Sequence, residues 1–140
     1  MLSFGSILHV HLFAKKGKLS KGNPMSIERH HPSERASKIV IHNGTVYLSG
    51  QVPNDVTADI TGQTQDCLDK VEAFLIEAGS SRDHILSVTI YIKDMANFAA
   101  MNEVWNAWVA DHEKPVRACV QAHMAREAIE IEVCVIAAVA

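Results

Sequence analysis

Arg117 stands at the head of a run that otherwise alternates like a buried strand, KPVRACVQAHM over residues 114–124. A guanidinium is planar, permanently charged and able to grip a carboxylate through two parallel hydrogen bonds, so it can orient a ligand as well as attract it. Further on, IEIEVCVIAA over residues 129–138 holds two carboxylates, Glu130 and Glu132. Period-two alternation puts both on one face of a strand, where either could position or deprotonate a water molecule. The residues alone leave that choice open. Cys119, two positions from Arg117, shares its strand face and could line a cleft. It also reads as a small buried hydrophobe, since no sequence neighbour is set to lower its pKa and His123 comes closest. A structural reading competes with the chemical one: Arg117 and Glu132, on adjacent antiparallel strands, would form a cross-strand or intersubunit ion pair.

These side chains need a framework, and the pattern from Glu34 onward supplies one. SKIVIHNGTVYLSGQ sets two apolar runs around Asn43-Gly44, the signal for a two-residue hairpin with strands near 38–42 and 45–51. TGQTQDCLDKVEAFLIEAGS aligns Leu68, Val71, Leu75 and Ala78 on one helical stripe, with Gly79 as its stop. HILSVTIYIKD then alternates Leu86, Val88, Ile90 and Ile92 against Ser87, Thr89, Tyr91 and Lys93. A second helix spans about 97–110, with Phe98, Met101, Trp105 and Trp108 at helical spacing, the tryptophans reading as core or interface anchors. Two strands follow, near 116–123 and 129–139. The order is ββαβαββ, an α+β domain whose two helices cover one face of a mainly antiparallel sheet. The last strand is apolar on both sides, so the other sheet face is expected to meet further subunits.

Composition bounds the function. At 140 residues, 48% hydrophobic and 21% charged, the chain suits one domain with a real core. No apolar run approaches the roughly 20 residues of a membrane span, and no membrane partner is expected. Residues 28–140 carry nine Lys and Arg against sixteen Asp and Glu, poor electrostatics for gripping a nucleic acid. Three cysteines, Cys67, Cys119 and Cys134, form no CxxC pair and no cluster with histidine, so neither a disulfide framework nor a metal site is indicated and a reducing cytoplasm is the simplest home.

The first residues differ. Residues 1–27 hold Lys15, Lys16, Lys18 and Lys21 and no acid, and their apolar part precedes the basic part, the reverse of a signal peptide. Residues 1–24 are read as an N-terminal extension, flexible or a gene-start artefact, with an ordered extra strand and a transit peptide as the other readings. The domain itself is placed at 25–140, opening at Met25.

VYLSGQVP, LDKVEAFLIEAG, VTIYIKDMANFAAMNEVWNAW, PVRACVQA and IEIEVCVIAA follow one another as the blocks of the RidA/YjgF family do, and the chain resembles that family from about residue 27 to its end. The resemblance implies a chorismate-mutase-like fold and a homotrimer with a central barrel and clefts between neighbouring subunits. It implies hydrolysis of reactive enamine and imine intermediates, such as 2-imino acids, to 2-oxo acids and ammonia, with no cofactor. Arg117 then matches the carboxylate-binding arginine and Glu132 the water-associated glutamate, with Glu130 as understudy. Cys119 matches a cysteine of some members, Ser49 and Gly50 lie in a block bordering the cleft, and Asn102 matches a frequent asparagine. On the residues alone, SGQVP is equally a strand-ending turn and Asn102 a loop-tying helix residue. One departure stands out: SERASKIV replaces an aromatic GPY segment, with Ala36 where the family's cleft tyrosine should lie, so the cleft is expected to suit another substrate than 2-aminoacrylate. Two other functions stay open, a non-catalytic trimer that binds a small carboxylate and senses for or protects a partner enzyme, and an RNA-directed ribonuclease or translation inhibitor.

Overall fold

Asn43 and Gly44 both adopt positive φ, 50° and 76°, as the two central residues of a tight hairpin must. The computed structural model describes residues 26–140, so the expectations for 1–24 lie outside the described residues. In chain order the elements are β1 (Ile27–His30), β2 (Ile39–His42), β3 (Thr45–Leu48), α1 (Ile60–Glu77), β4 (Ile85–Ile92), α2 (Phe98–Val109), β5 (Val116–Gln121) and β6 (Ile131–Ala138). The strands form one six-stranded sheet in the order β1-β2-β3-β6-β4-β5. All neighbouring pairs are antiparallel except β4 and β5, which α2 joins as a parallel crossover.

The expected order ββαβαββ is corrected to βββαβαββ. The added strand, IERH, pairs with the outer edge of β2 and buries no side chain fully. An edge strand of this kind is held by its backbone ladder, so it carries no apolar alternation to read. A second correction concerns β5 and β6, which are not neighbours: β4 lies between them, pairing Val88 with Arg117 on one side and Tyr91 with Glu132 on the other.

Both helices lie on one face. Leu68, Val71 and Leu75 of α1 and Met101, Trp105 and Trp108 of α2 are buried with Ile39, Val46, Val88, Ile90, Ile92, Ile131, Val133 and Val135 of the sheet. Asp59 starts α1 by accepting a hydrogen bond from Gly62 N at 2.9 Å, and Gly79, at φ 76°, ends it. Leu86 was expected on the core face with Val88. A bulge between Ile85 and Ser87 buries Ile85 instead and leaves Leu86 49% exposed. The opposite sheet face carries exposed Tyr47, Val116, Val120 and Ile136. Tyr47 pairs with Ile136, which pairs with Ser87, which pairs with Val116, so these side chains form a band across the sheet. Among the described residues no helix is long and apolar enough to cross a membrane.

Candidate functional site

Strand β5 is the sheet's outer edge, and its register with β4 sets Arg117 and Cys119 opposite buried Val88 and Ile90, on the helix-covered face. There the Arg117 side chain meets α2. Its Nη1 donates to Asn102 Oδ1 at 2.7 Å, and its Cζ lies 5.3 Å from the centre of the Trp105 ring. Asn102 and Trp105 are three apart in the helix and therefore share a face. Among the described residues Arg117 makes that one hydrogen bond and has no carboxylate within ion-pair distance. Among the described residues its Nε–H and Nη2–H have no partner, two parallel donors of the kind a carboxylate accepts. Cys119 packs partly against the core beside this group. Burial pushes its thiol up and the Arg117 charge pulls it partly back, so the thiol is protonated at neutral pH.

A second group sits on the open face. Alternation along β6 buries Ile131, Val133 and Val135 under the helices and turns Glu132 and Cys134 the other way. Gly50 lies against them: a Cβ there would stand 2.9 Å from Glu132 Cδ and 3.2 Å from Cys134 Sγ, so only glycine admits this carboxylate so closely. Buried Gln51 locks the approach. Its backbone exchanges hydrogen bonds with Val133 at 2.8 and 2.9 Å, and its side-chain amide donates to Ser49 O at 2.8 Å. The Ser49 hydroxyl donates to Ser37 O at 2.6 Å, which ties the residue before Gly50 to the one after exposed Ala36. Cys134, like Cys119, has its thiol raised, by burial first and the Glu132 charge second.

Of the six residues the sequence singled out, Asn102, Arg117 and Cys119 come together, and so do Ser49, Gly50 and Glu132. The two groups do not meet within one chain. They occupy opposite faces of the sheet, and with β4 between them are two strand spacings apart, about 10 Å before the register offset is added. The intrachain Arg117–Glu132 pair expected of adjacent strands is thereby overturned. Glu130 stands just ahead of β6, its N–H bonded to Gln63 Oε1 and its carbonyl to Lys93 N, and it is Glu132 that touches Gly50.

Sequence reasoning missed four contributors. Trp105 was read as an anchor, although its spacing from Asn102 was a signal. Cys134 follows Glu132 by two and so shares its face. Gln51 and Gln63 carried no signal, because a buried glutamine is recognised only by the groups that satisfy it. The Gln63 amide donates to Ala58 O and Ala128 O at 3.1 and 3.0 Å, tying the start of α1 to the entry of β6. Among the described residues no three His, Cys, Asp or Glu side chains are gathered as a metal-ligand set.

A family model described as endoribonuclease L-PSP matches residues 27–139. The RutC family protein YoaB of Escherichia coli is 41% identical over 115 residues, covering 82% of this chain and all of that relative. A RutC family protein of Haemophilus ducreyi is 34% identical over 113 residues, covering 81% of this chain and 97% of the relative. Among solved structures, a YjgF-family protein of Neisseria meningitidis superposes with a TM-score of 0.79 at 39% identity, over 82% of this chain and 96% of the other. A protein of Salmonella typhimurium described as a putative translation initiation inhibitor gives 0.76 at 40% identity, over 82% and 99%.

Proposed function

The chain belongs to the RidA/YjgF family, and from that premise we propose that it hydrolyses 2-imino acids and their enamine tautomers to 2-oxo acids and ammonia, in clefts that two protomers of a homotrimer build together. The observation that carries this reading is Arg117, a guanidinium held by a neutral amide and an aromatic ring, with two parallel N–H groups free and no carboxylate to neutralise it among the described residues. Such a group is a receptor for a planar carboxylate. Because Glu132 faces the other side of the sheet, a site containing both must take Arg117 from one copy and Glu132 from another. The exposed band of Tyr47, Ile136 and Val116 supports that assembly, since an apolar sheet face of this kind is stable when covered.

The chemistry balances without a cofactor. The carboxylate docks on Arg117, and an enamine first takes a proton from water on its carbon and returns one from its nitrogen, which makes it the imine. Glu132 accepts a proton from water as the oxygen attacks the C=N carbon and passes it on, through solvent, to the nitrogen, giving a tetrahedral aminoalcohol. As that intermediate collapses, the hydroxyl proton passes by way of Glu132 to the amine, the C–N bond breaks, the C=O bond forms and ammonia leaves. Fixing the carboxylate sets the distance between water and carbon, which turns the attack into a step between groups already in place. Ala36, exposed, puts a methyl group where the resemblance expects the cleft tyrosine, which favours imino acids with larger side chains than 2-aminoacrylate. An RNA-directed role finds less support, given sixteen acids against nine bases in residues 28–140.

The test generates imino acids of different side-chain size with an amino-acid oxidase and follows their decay. Faster decay with the protein is expected; decay unchanged for every imino acid would end the reading. Mixing protomers tests the shared site. Arg117→Ala and Glu132→Gln chains, each nearly inactive alone, should recover about a quarter of parent activity when unfolded and reassembled together in equal amounts, since that fraction of neighbouring pairs combines both intact residues. No recovery in trimers shown by mass to be mixed would rule out a site divided between protomers.

A further inference from the structure

Helix α2 presents two tryptophans, each beneath an arginine, and the two stations differ in one respect. Arg82 lies 4.9 Å from the Trp108 ring centre and is neutralised, its Nη2 donating to Glu72 Oε2 at 2.7 Å and its Nη1 to Trp108 O at 2.9 Å. Arg117 lies over Trp105 at nearly the same distance, yet its hydrogen-bonding partner is the uncharged Asn102. Trp105 is itself immobile: it is 6% exposed and packs against Trp108 with ring centres 5.7 Å apart.

We propose that Trp105 is a positioning residue for Arg117, a rigid aromatic wall that fixes the guanidinium plane so that its free edge is presented ready-made to a planar carboxylate. This rests on the carboxylate-binding reading of Arg117. An indole face attracts the cation without satisfying any N–H donor. A carboxylate at the same place would accept from the donors and cancel the charge; at Arg82, Glu72 cancels the charge through Nη2 while the buried Nε–H keeps no partner among the described residues. Asn102 holds one nitrogen at the edge and Trp105 holds the face, so the side chain surrenders little rotational freedom when a ligand arrives. Trp105 touches no substrate in this scheme and acts through Arg117 alone.

The experiment measures pyruvate binding, as a 2-oxo acid that is not consumed, by titration calorimetry on the assembled protein. Trp105→Leu should weaken binding about five- to tenfold, the cost of immobilising a long side chain that was formerly held, while Trp105→Tyr, which keeps an aromatic face, stays within about twofold. In an Arg117→Lys background Trp105→Leu should add nothing, because the ammonium has no plane to hold. A purely structural tryptophan would produce the same change in both backgrounds. If Trp105→Leu fails to assemble, Trp108→Phe leaves Trp105 as the single tryptophan of the chain, and its emission should shift on adding pyruvate with the calorimetric midpoint. Parent-like binding by Trp105→Leu, or unmoved emission at saturating pyruvate, overturns the inference. Failure of the underlying reading looks different: pyruvate then binds Arg117→Ala as well as the parent, or does not bind the parent, and the inference falls with it.

Discussion

Arg82 and Arg117 are chemically the same side chain over the same kind of ring on the same helix, and they serve opposite ends. Arg82 ties the Glu72 carboxylate of α1 to the carbonyl of Trp108 in α2, so its charge is spent on joining two helices. Arg117, on the outermost strand, joins nothing comparable and keeps its charge and two donors free. A half-buried guanidinium left unneutralised forgoes an available interaction, and that is the usual mark of a group kept for a ligand. Burial and residue type do not separate the two arginines. Their partners do.

Removing each in turn sharpens this contrast. Arg117→Ala should cut imino-acid hydrolysis by about 30-fold to several thousand-fold, the loss of a charge-assisted contact of about 2–5 kcal/mol, with the thermal midpoint nearly unchanged. Arg117→Lys should rescue it poorly, because an ammonium cannot make the paired bonds. Steady-state rates and a melting curve on the same sample check both points, and a large drop in melting temperature with parent-like activity would make Arg117 another Arg82. Glu132→Gln should slow turnover on the order of 100-fold while leaving pyruvate affinity within about twofold, since it keeps the shape and loses the proton acceptor. That result also divides an enzyme from a carboxylate-binding module, for which the substitution would be silent.

Gly50→Ala should come next, at about tenfold in rate. The new methyl group meets the end of the Glu132 side chain, so the carboxylate swings aside while the backbone stays, and a crystal structure should show it displaced with little change in stability. Arg82→Ala completes the series in the other direction: a loss of about 1–3 kcal/mol in stability by denaturant melting, with the per-trimer rate within about twofold of the parent. A folded, stable Arg82→Ala trimer with lost activity would erase the distinction between the two stations.

Much of this frame was legible beforehand. The Asn43-Gly44 turn, both helices and the strands of the β4-α2-β5-β6 half follow from local rules, because turn dihedrals and helical or alternating periodicity are properties of neighbouring residues. Strand β1 escaped because edge pairing demands little of side chains. Leu86 escaped because one bulge shifts alternation by a residue, and alternation has no means of announcing it.

By itself, then, the sequence determined which elements the candidate residues ride on: Arg117 and Cys119 on one face of a strand, Glu132 on one face of another, Asn102 on a helix. Only the tertiary structure decided that β4 separates the two strands, that Arg117 and Glu132 face opposite ways, and that Glu72 neutralises Arg82 while no carboxylate of the described residues reaches Arg117. The physical reason is range. Period and turn chemistry act over a few residues, whereas the order of strands in a sheet, and the side of it on which a charge finds a partner, are settled by how distant segments share one core.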